Sequence, residues 1–349
     1  MNSTHRRAVT AAAVPILFAL GLTVSSCQTQ AKAESGNPAE VDIMVGGLDK
    51  VIYIPAELTE RLGYFKEQGL TVRLQSQPSG ANAETALVAG QVDGVVGFYD
   101  HTIDLQTKGK CIQSVVQFAN VPGEVEIVAK GAKISGPEDF SGKKLGVTSP
   151  GSSTDFLTQY LAGKAGVGTD EYTTVAAGAG ATFIAALQNG GIDAGMTTDP
   201  TAQQIKAKGL GDVLLDLRTE EGTRAALGGL YPASSLYLDC DYVQKNPETV
   251  QKLANAFVQT LAFINGHSGE EIAKEMPAEY ASGAGGAASY SAAIDASKGM
   301  FNATGVMDEA GAKNVLTVLS QFNPNVKGKA GTVDLGKTYT TGFASKAGR

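Results

Sequence analysis

The nine residues Ala86-Leu87-Val88-Ala89-Gly90-Gln91-Val92-Asp93-Gly94 return as Ala186-Leu187-Gln188-Asn189-Gly190-Gly191-Ile192-Asp193-Ala194. Both read A-L-x-x-G-x-[V/I]-D-small, the second 100 residues after the first. Each copy is expected to end a helix, stop it at a glycine, and start a strand, at 92–98 and at 192–197. One echo is too few for a solenoid period, which would repeat several times. It fits two lobes of similar plan, against the competing reading of a chance likeness between two helix–strand joints. At 349 residues the chain has length for two domains of roughly 150 residues each.

The pattern around each copy supports that plan. In the first half strands are expected at 41–46, 70–74 and 112–118. Helices are expected over 55–68, with Leu58, Leu62 and Phe65 on one face and a stop at Gly69, and from a Ser79 cap to Ala89. The second half repeats this with strands at 144–148, 172–175 and 192–196 and helices at 153–164 and 182–188. Asp199-Pro200 is read as N-cap and first-turn proline of a helix to Lys208. Alternating strands and helices imply mostly parallel sheets covered on both faces. After a strand at 234–238 helices dominate, at 247–265, 268–275 with a Ser268/Glu271 capping box, 290–301 and 308–321. The polar, Gly/Lys-rich end of the chain is expected to be loosely held.

The N-terminus reads as an address. Arg6-Arg7 precedes an apolar run from Ala8 to Val24, broken by Pro15, and then small residues Ser25-Ser26 before Cys27. A basic start, an apolar middle and small residues at a cleavage point mark an export signal over 1–26, and the run is short of the ~20 residues of a span. Val24-Ser25-Ser26-Cys27 resembles a bacterial lipobox, which implies lipidation of Cys27 and a flexible tether over 27–40. That would place the protein outside the cell membrane, lipid-anchored to its outer face or periplasmic.

Composition excludes several chemistries. Lys+Arg number 28 against 35 Asp+Glu, a net charge of −7 with no basic run, which argues against nucleic acid as a partner. Three His and three Cys are too few for a zinc or iron–sulfur framework, and no metal or cofactor is expected. No Gly-x-Ser-x-Gly, His-Glu-x-x-His or Walker lysine occurs, so no catalytic set is nominated. The informative loops follow strands, where open α/β sheets place ligands. Four are singled out: 47–53 with Asp49 and Tyr53; 76–82 with Ser79 and Gly80; 99–101 with Tyr99 and His101; and 149–154 with Ser152, Ser153 and Thr154. Thr198 and Asp199, which end the echoed strand, join them. Two Ser/Gly turns opening helices offer amides and hydroxyls to a small organic ligand, favouring an oxyanion, with an amine received by nearby aspartates as the alternative.

Gly63-Tyr64-Phe65-Lys66-Glu67-Gln68-Gly69-Leu70, the first echo, Glu138-Asp139-Phe140-Ser141-Gly142-Lys143-Lys144-Leu145-Gly146-Val147 and Asn246-Pro247-Glu248 stand in a telling order. Together they resemble solute-binding proteins of the nitrate/taurine/alkanesulfonate class, a pattern that thiamine-pyrimidine-precursor binders share. The resemblance implies a two-lobed periplasmic-binding-protein type II fold, each lobe a mixed, mostly parallel sheet flanked by helices. Lobe one would take 41–127 and 237–325, lobe two 128–236, and 326–349 would be a polar tail. It implies a monomer that delivers its ligand to an ABC permease and, through it, to an ATPase. An enzyme on the same fold, of pyrimidine-precursor or menaquinone type, and a ligand-sensing receptor are the alternatives. In such a fold the strand returning from lobe two lies antiparallel to the one that left lobe one. That juxtaposition implies a disulfide between Cys111 and Cys240, two buried free thiols being the alternative.

Overall fold

The structure, a computed structural model, describes residues 39–347. The export signal, Cys27 and nearly all of the expected tether lie outside the described residues.

Lobe one opens with β1 (Ala39–Val45), a short 3-10 turn and α1 (Ile54–Arg61). The helix expected over 55–68 is two helices, because Gly63 takes a left-handed φ of 77° and restarts the chain as α2 (Tyr64–Glu67). β2 (Leu70–Ser76), α3 (Gly80–Val88), β3 (Gly94–Phe98), α4 (Asp100–Thr107) and β4 (Ile112–Gln117) follow. α4 was not expected; Tyr99, Asp100 and His101 are its opening turn and not a loop.

The chain then crosses as β5 (Glu124–Ala129) into lobe two, which adds β6 (Lys144–Val147), α5 (Ser153–Lys164), β7 (Thr173–Ala176) and α6 (Ala181–Gln188). β8 (Ala194–Thr198), α7 (Thr201–Lys208), β9 (Gly211–Asp216) and α8 (Glu220–Leu227) complete it. Asp199 is not the N-cap residue of α7, a position that Pro200 takes after a cis peptide bond, although Asp199 Oδ1 accepts from Gln203 N in the first turn. β10 (Ser234–Asp239) returns to lobe one and leads through α9 (Cys240–Lys245) into α10 (Pro247–Gly266). α11 (Gly269–Glu275) has the capping box between Ser268 and Glu271, and α12 (Gly286–Ser297) and α13 (Glu309–Phe322) follow.

Each lobe holds a five-stranded sheet, ordered β2-β1-β3-β10-β4 in one and β7-β6-β8-β5-β9 in the other. In both, the first three strands pair in parallel and the fourth, the strand that arrives from the other lobe, is antiparallel. The echoed motif occupies the same joint twice. Asp93 Oδ2 accepts from Asp42 N, and Asp193 Oδ2 accepts from Lys144 N, each at 2.8 Å. Each aspartate thereby ties the turn before its strand to the neighbouring parallel strand, β1 or β6.

The main core lies under lobe one, where α10 packs Phe257 on Phe65 and Phe118. A second apolar cluster belongs to neither lobe alone. Tyr99 and Ile103 of α4 meet Phe156, Leu157 and Leu161 of α5 and Val315 and Leu319 of α13. The chain end is not loosely held. Tyr339 bridges Ser114 on the outer edge of β4, and Thr338 is fully buried, so the tail covers a sheet edge that would otherwise present unpaired backbone groups. Among the described residues no helix is long and apolar enough to cross a membrane.

Candidate functional site

The carboxyl ends of β1 and β3 in lobe one face those of β6 and β8 in lobe two. Between them lies a narrow cavity of about 20 Å³, room for about one water molecule. Lobe one contributes Lys50, Ile52, Tyr53, Gly80 and Phe98 to its wall. Lobe two contributes Glu124, Thr148, Ser152, Ser153, Thr154, Thr197 and Thr198.

Two helices start at this wall. α3 begins at Gly80 after Ser79, whose hydroxyl accepts from Asn82 N. α5 begins at Ser153, and Ser152 before it makes no side-chain cap, so this helix presents its positive end to the cavity. The hydroxyl of Ser152 is engaged instead with Thr148 at 2.9 Å and Thr154 at 2.7 Å. The lobes are shut over the space: Ser149 Oγ donates to Ser79 Oγ at 2.9 Å, and Ser153 Oγ donates to Asp100 Oδ1 at 2.8 Å.

The wall holds one basic and one acidic side chain. Lys50 is buried, and its ammonium donates to the carbonyls of Gly46 and, at 3.1 Å, Pro78. Burial pulls its pKa down to about 8, although Asp49 and Glu124 favour the charged form. Glu124 is 3% exposed and its Oε2 has no hydrogen-bond partner. Burial first, then Asp100, raises its carboxyl well above the usual range, and Lys50 does not reverse this. Burial thus favours the neutral form of both side chains, more strongly for Glu124 than for Lys50.

Of the residues nominated from sequence, Tyr53, Gly80, Ser152, Ser153, Thr154 and Thr198 are in the wall, and Ser79 stands beside it. Four are elsewhere. Asp49 is exposed to solvent, because the 3-10 turn after β1 points its neighbour Lys50 inward instead. Tyr99 lies one residue past the strand and turns toward the tail, its hydroxyl 2.6 Å from Thr338 Oγ1. His101 lies beneath Gly80, with Nδ1 2.7 Å from Glu84 Oε2. Asp199 is fully buried and bonded to Arg218 and Ser297.

Sequence reasoning missed Lys50, which sat inside a nominated loop, and Glu124, whose strand was not expected. The alternation Glu124-Val125-Glu126-Ile127-Val128 carried the signal: period two with one charged face, its other face packing on Phe183 and Ile192. Among the described residues no group of three or more His, Cys, Asp or Glu is arranged to hold a metal ion.

Two sheets of one strand order, closed over a shared cavity at their carboxyl ends, define the periplasmic-binding-protein fold. Within it, the sequence profile of the family described as NMT1/THI5 like matches residues 53–270, and the protein belongs to that family. A solved structure from Bordetella bronchiseptica RB50 is 35% identical, with a TM-score of 0.84 over 88% of this chain and 96% of that one. The alkanesulfonate-binding protein of Xanthomonas axonopodis pv. citri, bound to MOPS, shares the fold at 15% identity. Its TM-score is 0.69 over 88% of this chain and 100% of that one. The periplasmic nitrate-binding protein of Synechocystis PCC 6803 does so at 15% identity and a TM-score of 0.65, over 88% and 86%. Curated relatives include a Saccharomyces cerevisiae 4-amino-5-hydroxymethyl-2-methylpyrimidine phosphate synthase. It is 28% identical over 61% of this chain, and the match spans 63% of that protein's length.

Proposed function

We propose that the protein is the extracytoplasmic solute-binding component of an ABC import system, holding a small organic anion between its lobes and delivering it to a permease. The observation that carries this reading is the shared cavity wall, built from both lobes and closed by hydrogen bonds across it. Binding energy there is spent on lobe closure, the conformation a permease would recognise. The structural neighbours named as sulfonate- and nitrate-binding proteins support the class, and the lipobox at Cys27 supports attachment to the outer face of the membrane.

The anion follows from the wall's chemistry. Lys50 and the start of α5 favour negative charge, and burial, which raises the pKa of the Glu124 carboxyl, lessens its repulsion. Calorimetry with sulfonates, carboxylates and amines at pH 6 and pH 9 tests this. Binding of an anion should be one-to-one and should weaken at pH 9, where Lys50 loses its proton. Binding of amines alone would overturn the anion, and turnover of a bound pyrimidine would favour the second reading, an enzyme like the curated relatives.

A further inference from the structure

We propose that Asp199 and Ser297 form a latch that holds the lobes shut, so that affinity at the cavity depends on residues outside its wall. The proposal rests on the solute-binding reading above. Asp199 follows β8 in lobe two; Ser297 ends α12 in lobe one. Ser297 Oγ donates to Asp199 Oδ2 at 2.7 Å, and neither residue is exposed. Beside this contact Val51 N, next to Lys50 in lobe one, donates to the carbonyl of Asp199 at 2.9 Å.

The lobe-two half of the latch is built in advance. Arg218 Nη1 donates to Asp199 Oδ2 at 3.0 Å, and Gln203 N donates to Oδ1 at 3.2 Å. Arg218 is itself fixed by Asp216 through Nε at 2.9 Å and Nη2 at 2.6 Å. The carboxylate therefore keeps its cation when the lobes part: only the Ser297 hydroxyl leaves it, while the Val51 amide leaves the Asp199 main-chain carbonyl.

The α13 contact behaves differently. Phe322 of α13 fits against Gly163 of α5, where even a Cβ would stand 1.9 Å from its ring. Val315 and Leu319 extend the contact onto Leu157 and Leu161. Separating α13 from α5 would expose apolar surface, so that seam stays closed and the Asp199 seam opens.

Förster transfer between dyes at Val88→Cys on lobe one and Val213→Cys on lobe two reads the lobe distance directly. Both positions are exposed, at 40% and 44%, and a Cys27→Ser background leaves only these thiols free. In the chain without added ligand, Ser297→Ala should lower the closed-to-open ratio roughly tenfold, as loss of one hydrogen bond to a charged group implies. Its melting temperature should stay near the parent's, because Asp199 retains Arg218. Identical distance distributions in the parent and Ser297→Ala would overturn the latch. A shift stands even if the cavity binds nothing, so the latch and the solute-binding reading fail separately.

Discussion

A Cβ at position 80 would stand 2.9 Å from His101 Nε2, which explains why a glycine opens α3 at the cavity wall. His101 has little room to yield. It is fully buried against Glu84; burial lowers its pKa, but Glu84, backed by Asp100 and Asp104, outweighs this and raises it to about 9. Gly80→Ala is expected to cost about 1–3 kcal/mol by overpacking and to weaken binding at the cavity, checked by urea unfolding and calorimetry. Glu126, two residues beyond Glu124 on the same face of β5, is a purer case of burial. Neither of its oxygens has a hydrogen-bond partner, and burial pushes its carboxyl up to about 8. A carboxyl that binds its proton more tightly when folded stabilises the protein fully below its unfolded pKa near 4.5. That contribution is lost as pH rises toward 8. Thermal melts should therefore show stability falling between about pH 5 and pH 8, by up to a few kcal/mol, and Glu126→Gln should flatten the slope.

The echoed motif is a structural joint in both lobes. Asp93 and Asp193 each accept one amide from a neighbouring strand with the same 2.8 Å geometry, and neither lines the cavity. Asp93→Ala and Asp193→Ala should each cost about 1–3 kcal/mol in chemical denaturation, the penalty of an amide left without its acceptor. Comparable losses at the two sites would mark the joints as equivalent. Helix bounds inside each lobe were readable because caps and stops are local. α5 begins at Ser153 and ends at Lys164 as its pattern implies, and α11 has its capping box. The elements that escaped reading are β5, β9, α4, α8 and α9. β9 leaves Val213 exposed at an outer edge, so it lacks the apolar run of a central strand.

Cys111 and Cys240 are joined in a disulfide, with Cα atoms 5.4 Å apart at the outer ends of β4 and β10. The bond closes a loop spanning 129 residues that contains all of lobe two. In the chain-entropy account a loop of this length contributes about 3–5 kcal/mol. Cys111→Ser with Cys240→Ser should lower the melting temperature in calorimetry, and a reductant should do the same to the parent alone. Because the bond lies at the strand ends away from the cavity, one-to-one binding should survive in the doubly substituted protein below its melting temperature.

What the sequence determined by itself is local or periodic: helices bounded by caps and glycines, strands of alternating or apolar pattern, and a joint used twice. It also carried the order of motifs that marks the family. Tyr53, Gly80, Ser152, Ser153, Thr154 and Thr198, singled out in the sequence, line one cavity because loops after parallel strands converge wherever the sheets do. Tertiary structure alone decided what faces that space. Lys50 and not Asp49 turns inward because a single 3-10 turn sets the direction of two adjacent side chains. Asp199 meets Ser297, 98 residues away, only because the lobes close, and α13 joins both lobes only because Gly163 admits Phe322. Contacts between distant segments depend on how the two sheets dock, and no local spacing in the chain encodes that.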